Sequence, residues 1–409
     1  MKDVLTILLA GGAGERLLPL TRSLAKPAVP FGGHYRIVDF TLSNIVNSGL
    51  RRILVMTQYK SLVLHRHLRE GWNIFSRELG EYLEVLPPMK RIHSDWYLGT
   101  ADAVYQNIES IEQDRPELVL ILSGDHIYKM DYREMMDWHR SSGASATIAT
   151  IQVPPADASR YGILDVDPQS LLCRGFEEKP AHGNPCRSAF NPFMVSASMG
   201  IYLFKASVLL GALRADAADP GSSHDFGHDV LPRLIGSCAV AAYDFHDLNE
   251  KTALYWRDVG TLDAYFEANM DLVSVHPEFN LYDSRWPLRT RMPQSPPAKF
   301  VFAQEGRRMG VATDSIVSPG VIISGGRVHR SILSPGVRVN SFCEIEDSIL
   351  LPGATVGRYA RLSRVIVDAG VHIPEGAVVG GEGCGGLEGC QQTEGGVTVV
   401  SEPREDQSA

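Results

Sequence analysis

Gly11, Gly12 and Gly14 follow directly on the apolar run Val4–Ala10, with Arg16 just past them and Lys26-Pro27 ten residues further on. Glycines let backbone amides approach phosphate oxygens closely, and a helix start favours their negative charge. Two cations beside such a loop suit a triphosphate. Two familiar phosphate loops are excluded. No Gly-Lys-Ser/Thr follows after four residues, and Leu17 stands where the dinucleotide fingerprint needs its third glycine. An ordinary tight turn carrying surface charges is the competing reading of this loop taken alone.

Two carboxylates are candidates for a metal. Asp125, in Ser123-Gly-Asp-His126, follows the apolar run Leu118–Leu122, at the strand end where open α/β sheets bind ligands. Asp258, in Trp256-Arg-Asp-Val-Gly-Thr261, precedes a glycine turn. Mg²⁺ typically takes one or two carboxylates plus phosphate oxygens, so the pair serves if the fold brings it together; spacing does not show this. Taken singly, each is equally a cap or turn residue. Glu178-Lys179-Pro180 sets a point charge suited to a monophosphate beside a carboxylate suited to sugar hydroxyls, although such a pair is often plain solvated surface. His224 and His228 stand four apart, but no Glu follows the first, and Gly227 weakens a helix there; structural or substrate-facing histidines are favoured over zinc. No G-x-S-x-G or comparable nucleophile signature is present.

These residues need elements to hold them. Val4–Ala10, Arg52–Thr57, Leu118–Ser123, Ala146–Val153 and residues 199–204 read as buried strands, with helical spacing over 38–48 and 101–112. The alternation predicts an α/β, Rossmann-like layer around a mostly parallel sheet. From about 275 the texture changes. Pro277, Pro287, Pro293, Pro296 and Pro297 predict an extended surface linker over 275–297 rather than a packed element. Beyond it, copies beginning at Ser331, Ser348 and Val365 repeat with a 17-residue step, and a fourth begins at Ser315, one residue out of step. Gly320, Gly336, Gly353 and Gly370 fall at the same turn. Each copy reads as one three-sided coil of a parallel β-helix, spanning 298–383 in all, and stacking buries the apolar face that a single coil leaves exposed. The tail, 384–409, is Gly-, Glu- and Ser-rich and is expected to be poorly ordered.

At 409 residues the chain exceeds the ~250–300 at which single cores stop growing, so two domains are expected. A hydrophobic share of 44% with 21% charged residues excludes disorder. The net charge of −9 argues against binding nucleic acid through bulk positive charge, though not against nucleotides. The six cysteines form no C-x-x-C pair and are expected to be reduced, mostly packed thiols of a cytoplasmic protein. No segment approaches the ~20 apolar residues of a membrane span.

Taken together, the segments resemble the sugar-1-phosphate nucleotidyltransferases and, within them, the bacterial ADP-glucose pyrophosphorylases (glucose-1-phosphate adenylyltransferases). Leu9-Ala-Gly-Gly-x-Gly-x-Arg-Leu17, Lys26-Pro-Ala-Val29, Phe31-Gly-Gly33, Arg36-Ile-Val-Asp-Phe-x-Leu-Ser-Asn44 and Trp96-Tyr-x-Gly-Thr-Ala-Asp-Ala-Val104 carry it. So do Gly124-Asp-His126, Glu178-Lys-Pro180, Ala197-Ser-Met-Gly-Ile-Tyr202, Ser222-Ser-His-Asp-Phe-Gly227 and Tyr255-Trp-Arg-Asp-Val-Gly-Thr261. The resemblance implies a catalytic domain over 1–274, a left-handed β-helix, and the reaction ATP + α-D-glucose 1-phosphate → ADP-glucose + diphosphate. It implies Asp125 and Asp258 as Mg²⁺ ligands, and Arg16 and Lys26 on the triphosphate. Gly11, Gly12, Gly14, Gln58 and Gly99 fall to the nucleotide, and Tyr97, Gly162, Glu178, Lys179 and Ser198 to the sugar phosphate. Gln58, Trp96 and Arg36 match positions tied to regulation, and the family implies a cytoplasmic homotetramer.

Some positions depart from the pattern. Ser23, Leu24 and Pro30 replace basic residues or histidine of the effector site, which leaves the identity of the effectors open. Leu98 and His228 also replace basic or polar residues, and neither removes a metal carboxylate. The rival readings are a transferase for UTP or dTTP, a regulatory subunit without turnover, and an acyltransferase β-helix, for which the repeat is short.

Overall fold

Val4–Ala10 is a buried apolar run because both of its faces are covered. Val4, Leu8 and Ala10 pack with Val38, Leu42 and Leu64 on one side, while Leu5 and Ile7 pack with Ala101, Val104 and Leu209 on the other. The computed structural model describes residues 3–88, 96–181, 185–249, 254–304, 307–381, 383–384 and 386–403.

The first third contains β1 (Val4–Ala10), the hairpin β2 (Pro30–Phe31) and β3 (Tyr35–Arg36), α1 (Ile37–Asn47), β4 (Arg52–Thr57), α2 (Leu62–Gly71) and β5 (Tyr82–Leu86). Next come α3 (Thr100–Tyr105), α4 (Ile108–Asp114), β6 (Leu118–Ser123), β7 (His126–Tyr128), α5 (Tyr132–Ser142), β8 (Ala146–Val153), β9 (Gly162–Val166) and β10 (Cys173–Glu178). The first domain closes with β11 (Val195–Lys205), α6 (Ala206–Ala217), α7 (Leu231–Ser237), β12 (Val240–Asp244), β13 (Trp256–Asp258) and α8 (Leu262–Asp271). The main sheet runs β10-β9-β11-β6-β1-β4-β5, with β8 beside β11 and β12 beyond β8. β4, β5 and β6 run parallel with β1, whereas β11 is antiparallel to β6, β8 and β9.

The strand expected at 199–204 begins earlier, at Val195, because a bulge between Ser198 and Tyr202 lets β11 keep pairing with β8. The helix expected over 101–112 is two helices. At the break, the Asn107 amide donates to the carbonyl of Ala103 and to Tyr97 Oη, and the Gln106 amide donates to Asp102. Short polar side chains that compete for backbone partners end helices in this way.

The proline-rich stretch is extended and mostly exposed, as expected of a surface linker, but it is anchored as a strap at points that the sequence did not show. Phe279 is fully buried against Phe40 and Tyr255. Trp286 donates to Asn44 at 2.8 Å, the Arg289 amide to Ser43 at 2.9 Å, and Thr290 to Asp39 at 2.6 Å. The prolines hold the chain extended, and the residues between them supply the contacts.

Three parallel sheets of the repeat domain form a left-handed β-helix. Its in-register stacks include Ile316–Val317, Ile332–Leu333, Ile349–Leu350 and Val365–Val367. The turn glycines at 320, 336, 353 and 370 have φ between 75° and 79°, a left-handed conformation in which a Cβ is strained. Ile332, Ile349 and Ile366 pack with Phe31, Tyr265 and Phe266, so the two domains share a core. The tail is not loose through Val400. Thr398–Val400 extends the stack beside Val365–Val367, and Cys390–Gln392 pairs back on it; residues 404–409 lie outside the described residues. The expectation of reduced thiols also fails, because Cys384 and Cys390 form a disulfide, brought to a Cα separation of 5.8 Å by a glycine-rich turn. Cys186 is exposed rather than packed. Among the described residues no helix is long and apolar enough to cross a membrane.

His139 on α5 is buried with Nδ1 bonded to Thr147 at 2.8 Å, while Nε2 has no hydrogen-bond partner among the described residues. Burial, and then the charges of Lys205 and Arg140, push its pKa down to about 4. The unfolded chain protonates this group near the ordinary value of about 6.5 and the folded chain does not. The neutral ring therefore contributes stability that is complete above about 6.5 and lost as pH falls toward 4, by about 2–3 kcal/mol. Urea midpoints measured across that range should fall for the native protein and flatten for His139→Gln.

Candidate active site

β6 ends beside β1, and the chain turns at Gly124, whose amide donates to Leu9 at 2.9 Å. A Cβ at Gly124 would lie 3.3 Å from that same carbonyl. Asp125 follows at once, over the carboxyl ends of two parallel strands. The next strand, β7, leaves the main sheet and pairs antiparallel with β13, with His126 opposite Asp258. This three-pair ladder is what brings the two distant carboxylates together.

Lys26 Nζ lies between them, 2.9 Å from Asp125 Oδ2 and 2.7 Å from Asp258 Oδ1. Lys26 is 6% exposed. Burial alone would lower its pKa, but the two carboxylates outweigh burial and hold it above its ordinary value. Burial would likewise raise the Asp125 pKa, yet Lys26, His126 and the Ser123 hydroxyl hold this carboxyl well below the usual range. Ligand atoms of Asp125, His126 and Asp258 all lie within 4.8 Å of one another. The oxygen donors in this set fit Mg²⁺, which takes one or two carboxylates and fills its remaining positions from phosphate and water.

Two cavities meet at this centre. The first, of about 560 Å³, is walled by Gly11, Gly12, Lys26, Gln58, Gly99 and Asp125. The second, of about 390 Å³, is walled by Arg16, Gly162, Lys179, Ser198 and Asp258. His126, Glu178, Gly200 and Tyr202 line both. Glu178 lies 3.1 Å from Lys179, and a Cβ on Gly162 or Gly227 would come within 2.7 Å of its carboxylate. Both glycines therefore leave room for that side chain. Gly99 is similarly close-packed, because a Cβ there would meet the His224 carbonyl at 2.3 Å.

Most residues singled out in the sequence converge on these cavities, with four qualifications. Tyr97, matched to the sugar phosphate by resemblance, lines the first cavity, and its hydroxyl accepts from Asn107 at 3.1 Å. Gly14 lines neither; with φ 66° it starts the turn that carries Arg16, and the Thr21 hydroxyl donates to its carbonyl. Trp96 is half exposed and stacks on Tyr59, a wall residue of the first cavity. Arg36 is elsewhere, in a cleft between the domains with His34, Arg291 and Pro335. His224 bonds to Asp216 at 2.9 Å, in keeping with a structural histidine.

Sequence reasoning missed His126 and Arg160, which also walls the second cavity. The adjacency of His126 to Asp125 offered a signal. Nothing about Arg160 in the sequence did.

Residues 5–275 match the nucleotidyl transferase family, and residues 296–400 match the GlmU-like C-terminal hexapeptide family. The glucose-1-phosphate adenylyltransferase of Koribacter versatilis is 58% identical over 402 residues, covering 98% of this chain and 96% of that protein. The chain belongs to the glucose-1-phosphate adenylyltransferase family. Members named glucose-1-phosphate adenylyltransferase from Rhodopirellula baltica and Paramagnetospirillum magneticum are 50% and 49% identical. Each match spans 98% of this chain, and 90% and 94% of the respective relatives. Membership agrees with the arrangement described above, a glycine loop and two carboxylates beyond the carboxyl ends of central strands, in a chain that continues into a β-helix.

Proposed function

We propose that this chain catalyses ATP + α-D-glucose 1-phosphate → ADP-glucose + diphosphate, supplying the glucosyl donor for α-glucan (glycogen) synthesis. Family membership supports the reaction. The observation that carries the site is the convergence of Asp125 and Asp258 on Lys26 where the two cavities meet.

In this reading a phosphate oxygen of the sugar attacks the α-phosphorus in line. The new P–O bond forms as the bond from the α-phosphorus to the bridging oxygen breaks, and diphosphate leaves with that electron pair. The nucleophile is already an anion, so no general base is needed. The barrier lies in bringing anions together and in charge growing on the leaving group, which positioned cations relieve. The amides at Gly11 and Gly12 cradle the nucleotide. Arg16 and Lys26 steady the triphosphate and the departing diphosphate. Lys179 neutralises the sugar phosphate, and Glu178 accepts from sugar hydroxyls. Asp125 and Asp258 hold Mg²⁺, which when bound supplies charge neutralisation on the phosphate oxygens.

The subunits assemble as a cytoplasmic homotetramer under allosteric control. Exposed Phe300, Phe342 and Tyr359 on the β-helix support assembly, and the cleft holding Arg36, His34 and Arg291 supports regulation. Diphosphate release measured with each nucleoside triphosphate and glucose 1-phosphate tests the assignment. ATP should be preferred by at least ~10²-fold in kcat/KM; a preference for UTP or dTTP overturns it.

A further inference from the structure

We propose that in the nucleotide-free enzyme Lys26 occupies the place a divalent cation takes during turnover, so that the cation is held only once a triphosphate draws the ammonium away. This rests on the reaction assigned above and concerns how its site is assembled.

Lys26 Nζ contacts Asp125 Oδ2 and Asp258 Oδ1, the two carboxylates best placed to ligate a metal. The second oxygen of Asp125 is already engaged by the Ser123 hydroxyl and faces His126 at 3.5 Å. Oδ2, bonded to Lys26, is thus the Asp125 oxygen that an arriving cation would take over. Mg²⁺ sits about 2.0–2.1 Å from its oxygens. An ion bound to this pair would overlap the ammonium held 2.7 and 2.9 Å from the same atoms. On the side of the two carboxylates that Lys26 faces, there is room for one of the two cations.

The exchange has a destination. The backbone of Lys26 is held in a short helical turn, Lys26–Ala28, next to Pro27. Its stem passes Gly14, where an added Cβ would lie 3.0 Å from Lys26 Cβ, and its side chain shares the first cavity with Gly11 and Gly12. Rotation about the four-carbon stem therefore carries the ammonium toward the glycine loop, where triphosphate oxygens would receive it. A metal ion arriving alone must displace a buried, doubly paired ammonium and leave it without a partner, which is costly. A metal arriving with ATP brings the oxygens that complete its own shell and re-pair the lysine.

Mn²⁺ binding to the full-length protein, followed by the electron paramagnetic resonance signal of free Mn²⁺, tests this without turnover. Native protein should bind Mn²⁺ weakly alone, and at least ~10-fold more tightly with a non-hydrolysable ATP analogue. Lys26→Met should bind Mn²⁺ without nucleotide at least ~10-fold more tightly than native protein, and adding Asp125→Asn should remove that gain. Native protein that binds Mn²⁺ equally well with and without the analogue overturns the exchange, whether or not the variant folds. So does a folded Lys26→Met that binds no better than native protein. If Mn²⁺ binding with the analogue is untouched by Asp125→Asn, the site assignment of the proposed function falls as well.

Discussion

Asp125→Asn should lower kcat by about 10³-fold or more while leaving the folded protein intact. The substitution keeps the shape of the side chain and removes the charge at the end of β6. Lys26 retains Asp258 at 2.7 Å, so no buried ammonium is stranded. The Asp125 side chain is itself 29% exposed, which limits the structural cost. Initial rates of diphosphate release, set beside circular dichroism and a melting curve, check the outcome. A loss in kcat with a melting temperature near that of native protein is expected. Unchanged turnover would remove Asp125 from the mechanism. Asp258→Asn should behave similarly, because the ladder of β7 and β13 presents the two carboxylates to the same point.

The largest expected effect on stability lies outside the site. Asp39, in the first turn of α1, is fully buried. It accepts from the Arg36 amide at 2.8 Å, from the Trp72 indole at 2.9 Å and from the Thr290 hydroxyl at 2.6 Å, and it lies 2.6 Å from His67 Nε2. One carboxylate thus joins the start of α1, the α2 region and the strap. Asp39→Ala orphans these partners together, and breaking a buried, charge-assisted network of this kind costs about 3–5 kcal/mol. Urea denaturation should show a midpoint lowered accordingly. A cost under about 1 kcal/mol would mean that water replaces the carboxylate and that the strap is held by its other contacts, buried Phe279 and the bonds of Trp286 to Asn44 and of Arg289 to Ser43.

Local chemistry was legible wherever one short segment carried the whole signal. β1 could be read because a strand covered on both faces is apolar at nearly every position, Thr6 being the exception here. The β-helix could be read because each coil needs a left-handed turn at the same step, and glycine meets that need most cheaply. The glycine loop could be read as a sharp turn at the end of β1, because such a turn needs a left-handed residue, and Gly14 supplies it at φ 66°. Signals failed where partners were distant. The strap read as a linker because its prolines are visible in sequence, while the acceptors of Trp286 and Thr290 lie on α1, far back along the chain. The pairing of Cys384 with Cys390 depends on the glycine turn between them, which no cysteine spacing rule identifies.

The sequence by itself determined which side chains are present and what each is able to do: carboxylates for a cation, lysine and arginine for phosphates, glycines for close approach. Only the tertiary structure decided which of them act together. β7 leaves the sheet to meet β13, setting Asp125 and Asp258 about one ammonium, while the hairpin that bears Arg36 turns toward the β-helix instead. The physical reason is range. Coulombic and coordinating contacts act over a few ångströms, and positions hundreds of residues apart come within that range only after hydrophobic burial has fixed the layers that carry them.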